Sequence, residues 1–107
     1  MHRGELYRVH RPPGDPREHR VFVILSRQWL IETRFSTLIC APIFSNGQGL
    51  ATQVSVGVNE GMKHESWVLC DGLTSVRRAE LTQYVGSLSP AKLSEVDRAV
   101  AIALDLP

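Results

Sequence analysis

The sequence predicts a mainly β chain with one C-terminal α-helix, folded as a small closed or half-closed barrel. Three observations lead there. Short apolar runs rich in Val, Ile and Leu recur between turn-forming clusters of Gly, Pro and Asn, as strands of a compact sheet do. The final stretch changes from a period of two to a spacing of three and four, as a helix lying on that sheet would. The composition, 43% apolar and 21% charged over 107 residues, is that of an ordinary globular domain, so residues 1–107 read as one domain.

The elements follow in order. Leu6-Tyr7-Arg8-Val9-His10 alternates apolar and polar, the mark of a half-buried strand. Residues 11–20 hold three prolines and a glycine, which exclude a strand or helix interior and predict a long surface loop. Val21-Phe22-Val23-Ile24-Leu25 is continuously apolar and reads as a strand buried on both faces. Residues 26–35 allow one or two helical turns. Thr37-Leu38-Ile39-Cys40-Ala41-Pro42-Ile43 is a second buried strand, with Pro42, which lacks a donor, expected at an edge or a bulge. After the turn Ser45-Asn46-Gly47-Gln48-Gly49 come strands at residues 52–56, 66–70, 73–76 and 84–88. Ser89 is a favourable N-cap and Pro90 a natural first helical residue. Leu93, Val96, Val100 and Ala103 then form one apolar stripe.

Charge is unevenly spread. Residues 1–34 carry seven arginines against four acids, residues 35–59 carry no charge, and the remainder carries five bases and seven acids. Guanidinium forks suit phosphate oxygens, so the arginine-only first third points toward a phosphate-bearing partner. Cys40 and Cys70 each lie in an apolar run and read as reduced, buried thiols. The four histidines (2, 10, 19, 64) lack ligand spacing, and no metal or cofactor is expected. No apolar run reaches the ~18 residues of a membrane span, and the first residues lack the apolar core of a secretory signal. The expected setting is cytoplasmic, without membrane contact.

Five short motifs, in order, resemble one family. Arg3-Gly4-Glu5-Leu6-Tyr7 resembles the R-G-[ED]-[IV]-[WY] opening of MazF/PemK-type toxins, the endoribonucleases of bacterial toxin–antitoxin pairs. Arg20-Val21-Phe22-Val23-Ile24-Leu25 is similar to their R-P-V-L-V-I strand, and Cys40-Ala41-Pro42-Ile43-Phe44-Ser45-Asn46 to their V-A-P-I-T-S-N. Val68-Leu69-Cys70-Asp71 resembles V-[IVL]-x-C-D, and Gly86-Ser87-Leu88-Ser89-Pro90 resembles G-x-L-S-P. The resemblance implies an SH3-like barrel, a homodimer, cleavage of single-stranded RNA at short sequences with a block of translation, and inhibition by a cognate MazE-like antitoxin with a disordered acidic tail. It carries the family's catalytic arginine onto Arg20 and the acid after the cysteine onto Asp71. Two positions depart from the pattern. Phe44 stands where the family has threonine, and residues 14–19 replace a G-S-E-Q-x-G loop.

The residues themselves suggest roles in metal-free RNA cleavage, which needs positive charge at phosphorus and groups that move protons. Arg20 suits the charge. His19, as an imidazole titrating near ~6.5, suits proton transfer. Ser45 is the hydroxyl nearest the missing threonine, although strand alternation would turn it away from Phe44 unless the strand has ended. Arg17, Glu18, Phe44, Asn46 and Asp71 are candidate substrate contacts; Asp71 could hold Arg20 or only form a turn before Gly72. Trp67 and Phe44 are possible base-stacking groups, with core packing expected for Trp67. Two other readings stand beside the nuclease. One is a catalytically impaired RNA- or antitoxin-binding module of the same fold, and the other a CcdB-like gyrase inhibitor.

Overall fold

The computed structural model describes residues 1–10 and 20–107. Of the loop expected at residues 11–20, residues 11–19, with Arg17, Glu18 and His19, lie outside the described residues, and Arg20 belongs instead to a strand, where it pairs with Val9. Seven strands form: β1 (Glu5–Val9), β2 (Arg20–Ile24), β3 (Thr37–Phe44), β4 (Gln53–Val56), β5 (Ser66–Leu69), β6 (Thr74–Arg77) and β7 (Leu81–Ser87). A one-turn helix α1 (Gln28–Ile31) follows β2, and α2 (Pro90–Ala103) ends the chain. The strands pair antiparallel in the order β4-β5-β3-β2-β1-β7, with β6 on β3. The expected mainly β architecture with a terminal helix is the observed one.

β3 is long because it serves two neighbours on one side. Its first half pairs β6, from Thr37 opposite Arg77 to Cys40 opposite Thr74. Its last two residues pair β5, with Ile43 opposite Val68 and Phe44 opposite Trp67. Pro42 was expected at an edge or a bulge; it sits instead inside an interior strand, in the break between those two ladders. There the proline's missing N–H leaves no bond to β5 or β6 unmade.

The continuous apolar run of β2 is explained by two cores, one on each face of the sheet. Val21 and Val23 face a core with Leu6, Ala41, Ile43, Val54, Val68 and Cys70. Phe22 and Ile24 face a second with Val9, Ile31, Leu38, Cys40, Val76 and Leu81. Helix α2 covers the first. Ser89 Oγ accepts the Lys92 N–H at 3.1 Å and Pro90 opens the helix, as their residue types require. Val96 and Ala99 are buried, with Leu93, Val100 and Ala103 packed at the margin. Burying a Val or Leu of this kind stabilises by about 1.5–3 kcal/mol. Burial also pushes the Cys40 thiol up to about 12 and Cys70 to about 11, the carboxylates of Asp71 and Asp97 adding to the latter. Both cysteines are free.

Two arginines clasp the chain. Arg3 donates to the Leu25 carbonyl at 3.0 Å and to Asp97 of α2 at 2.8 Å. Arg78 donates to the carbonyls of Phe35, Ile31 and Leu30, which tethers α1 and the segment after it. Between β4 and β5 a 3₁₀ turn (Val58–Glu60) is held by Glu60 Oε1, which accepts the Gly57 N–H at 2.6 Å. It reaches across to β7, where Gly61 (φ +97°) meets the backbone of Val85 and Gly86. A Cβ on Gly86 would collide with the Glu60 carbonyl, so this contact requires glycine. It draws the β4–β5 connection over the end of the sheet where β2 begins. Among the described residues no helix is long and apolar enough to cross a membrane.

Candidate active site

At that end of the barrel lies an open cavity of about 490 Å³. Arg20, the first residue of β2, and Phe44, the last of β3, meet there because Val21 pairs Ile43 in the preceding rung. The Arg20 guanidinium carbon stands 3.8 Å from the centre of the Phe44 ring, a cation–π contact that fixes the arginine head at the rim. Arg8 of β1 reaches the same space, and so do Lys63 and His64 from the segment after Gly61. Tyr84 of β7 lines the far wall, its exposed ring set edge-on to Tyr7 at 5.7 Å. Gln83 and Ser66 add polar groups.

No carboxylate is among the described residues lining the cavity, while three side chains of fixed positive charge are. Arg8 and Lys63 form no ion pair among the described residues, so their charge is not neutralised within the site. Such a mouth attracts anions, and guanidinium groups grip phosphate through paired N–H donors. His64 is an exposed imidazole in the same cavity, able to take or give a proton. Tyr84 offers an aromatic face to a base. The whole suits a polyanion with stacking groups.

The residues expected from the sequence divide into three groups. Arg20, Phe44 and Ser45 come together at the cavity. Ser45 was expected to turn away from Phe44 if the strand continued, but β3 ends at Phe44, and the bend at Ser45 returns it to the same wall. Asn46 lies next door, in a smaller cavity that shares Phe44 and Ser45. Asp71 lies apart. It follows the opposite end of β5 from the Trp67–Phe44 rung and accepts the Thr52 hydroxyl at 2.6 Å, lining neither cavity. Its geometry is that of the turn rather than of a partner for Arg20. His19, Arg17 and Glu18 fall outside the described residues.

Sequence reasoning missed Arg8, Lys63, His64, Ser66, Gln83 and Tyr84. A Lys-His pair one residue after the turn Asn59-Glu60-Gly61 was the available signal, but only the β7 contact shows where that turn leads. Trp67, expected in the core, is half-buried on the outer sheet face, with Gly47 lying on its ring.

Comparison with known proteins agrees with this architecture. The mycobacterial protein Endoribonuclease MazF3 of Mycobacterium tuberculosis (strain CDC 1551 / Oshkosh) is 29% identical over 87 residues, covering 81% of this chain and 84% of that protein. The solved Mycobacterium tuberculosis toxin MazF-mt6 superposes with a TM-score of 0.83 at 24% identity, over 96% of this chain and 98% of its own. An endoribonuclease from Mycobacterial species, solved in complex with its cognate antitoxin, superposes with a TM-score of 0.83 at 23% identity, over 100% and 97%. At these identities the two structures establish the fold. Residues 2–104 match the sequence pattern of the PemK-like, MazF-like toxins of type II toxin–antitoxin systems, and the chain belongs to that family.

Proposed function

We propose that the chain is the toxin of a type II toxin–antitoxin pair: a cytoplasmic endoribonuclease that cuts single-stranded mRNA at specific short sequences without a metal ion, and so stops translation. The observation that carries this reading is the cavity in which Arg8, Arg20 and Lys63 converge with an imidazole and no described carboxylate. Metal-dependent nuclease sites are commonly built around carboxylates, whereas this set suits direct electrostatic support of a phosphate.

The chemistry follows from those groups. The 2′-oxygen bonds to the adjacent phosphorus while the bond from phosphorus to the 5′-oxygen breaks. Arg20 holds the non-bridging oxygens and offsets charge as the phosphorus centre becomes crowded. The His64 imidazole accepts the 2′-hydroxyl proton, and water protonates the departing 5′-oxygen. The products are a 2′,3′-cyclic phosphate and a 5′-hydroxyl.

Partners follow from the same surface. A cognate antitoxin with an acidic, initially disordered segment would lay its carboxylates across Arg8, Arg20 and Lys63, blocking RNA entry by charge complementarity. A homodimer would cover exposed apolar side chains such as Ile102 and Leu104 at the end of α2. Purified protein incubated in EDTA with mixed-sequence RNA should give discrete cuts bearing those end groups. Tight RNA binding without cutting would favour the binding-module reading, for which Phe44 in place of the family's threonine speaks. Arrest of a gyrase-dependent supercoiling reaction with RNA left intact would favour the gyrase-inhibitor reading.

A further inference from the structure

The smaller cavity encloses about 270 Å³ and is separated from the larger one by Phe44 and Ser45, which line both. Strand register explains its floor. Phe44 lies opposite Trp67, and Gln53 opposite Leu69, so Phe44, Leu69 and Gln53 share one face of the sheet. The chain leaving β3 folds back over that face. Gly47 lies on the Trp67 ring so closely that a Cβ would come within 2.5–2.7 Å of three ring atoms, so glycine sets the height of the roof.

One polar group in this pocket has a defined orientation. The Gln48 backbone N–H donates to Gln53 Oε1 at 2.7 Å. A backbone N–H can only donate, so the amide oxygen must face Gln48, and the amide NH₂ is left to donate elsewhere. Among the described residues no acceptor takes it. A wall of Phe44 and Leu69, with a donor whose direction is fixed, has the composition of a site for a flat heterocycle.

We propose that this pocket is a nucleobase subsite. It holds the base next to the phosphate gripped by Arg20, an assignment that rests on single-stranded RNA being the substrate. The Gln53 amide donates to the base's exocyclic group, so it favours a carbonyl there, as in guanine or uracil, over an amino group, as in adenine or cytosine. The shared wall of Phe44 places base and phosphate in adjoining cavities, as neighbouring parts of one nucleotide chain require.

The test uses short 2′-O-methyl oligoribonucleotides, which lack the attacking hydroxyl and are not cut. A series varying one base at a time is titrated into the full chain, read by fluorescence anisotropy of a labelled oligonucleotide. At one position, guanine or uracil should bind about fivefold more tightly than adenine or cytosine, the worth of one hydrogen bond. Gln53→Glu keeps an acceptor for the Gln48 N–H, so the loop stays anchored, but presents only acceptors to the base. Its preference should reverse, read as a ratio between bases so that the added negative charge cancels. Equal binding of all four bases at every position, or an unchanged order in Gln53→Glu, overturns the subsite. Base discrimination with no cutting of ordinary RNA leaves the subsite standing and removes the nuclease reading. Cutting with no such discrimination does the reverse.

Discussion

Arg20 and Arg78 both sit at the ends of strands, yet their guanidinium groups meet different surroundings. Arg78, just after β6, is used up by the carbonyls of Leu30 and Ile31 at the end of α1 and of Phe35 beyond it, a partnership within the fold. Arg20 leans on the face of Phe44 at the rim of a cavity whose other cations are Arg8 and Lys63. The clasp at Arg3 resembles the Arg78 case, with a carbonyl and Asp97 as fixed partners. The contrast teaches that arginine content alone does not mark a phosphate site. What sets Arg20 apart is its company: it lines one cavity with two further cations, Arg8 and Lys63, and with no described carboxylate.

Substitutions can break or sharpen that contrast, and after Arg20 itself the largest effect is expected at the proton carrier. His64→Gln should lower the cleavage rate about 100-fold, the usual worth of a positioned acid or base, with the melting temperature unmoved. Rates in single-turnover cleavage of one RNA check this, and a rate within threefold of wild type would remove His64 from the chemistry. Arg78→Ala should do the opposite. Leaving carbonyls at the end of α1 without their charged donor costs about 2 kcal/mol, visible as a lower denaturant midpoint with cleavage retained under mild conditions. Ser89→Ala should cost about 1 kcal/mol by removing the cap of α2, again without affecting the RNA site. Lys63→Gln is the smallest of the four. It should weaken RNA binding a few-fold and flatten the dependence of log affinity on log salt by about 0.7, the share of one phosphate on a single strand.

The fold was easier to read from the sequence than the site, for physical reasons. The β2 run Val21-Phe22-Val23-Ile24-Leu25 announces burial on both faces because no polar side chain interrupts it. The Ser89-Pro90 pair announces a helix start because capping and a fixed φ are local properties. Arg20 and Phe44 were legible through the motifs that resemble the family's, and the antiparallel pairing of their strands brings the two together. Lys63 and His64 were not legible. Their position depends on Gly61 packing against Gly86 across the barrel, a contact between distant segments that no local pattern encodes. Asp71 shows the converse, since a residue after one strand can tie its turn to Thr52, just before another, and line neither cavity. Pro42 shows how a local rule gives way to topology: a proline is tolerated inside the sheet where one ladder stops before another begins.

Charge at the cavity is expected to act on RNA and not on the fold. Arg20→Ala measured beside wild type in two assays, single-turnover RNA cleavage in EDTA and thermal unfolding, tests it most directly. The predicted result is a fall in cleavage of about 1,000-fold, in the range of a lost electrostatic stabiliser, with a melting temperature within a degree or two of wild type. Cleavage that persists at the wild-type rate, or a loss of stability as large as that of Arg78→Ala, would contradict it.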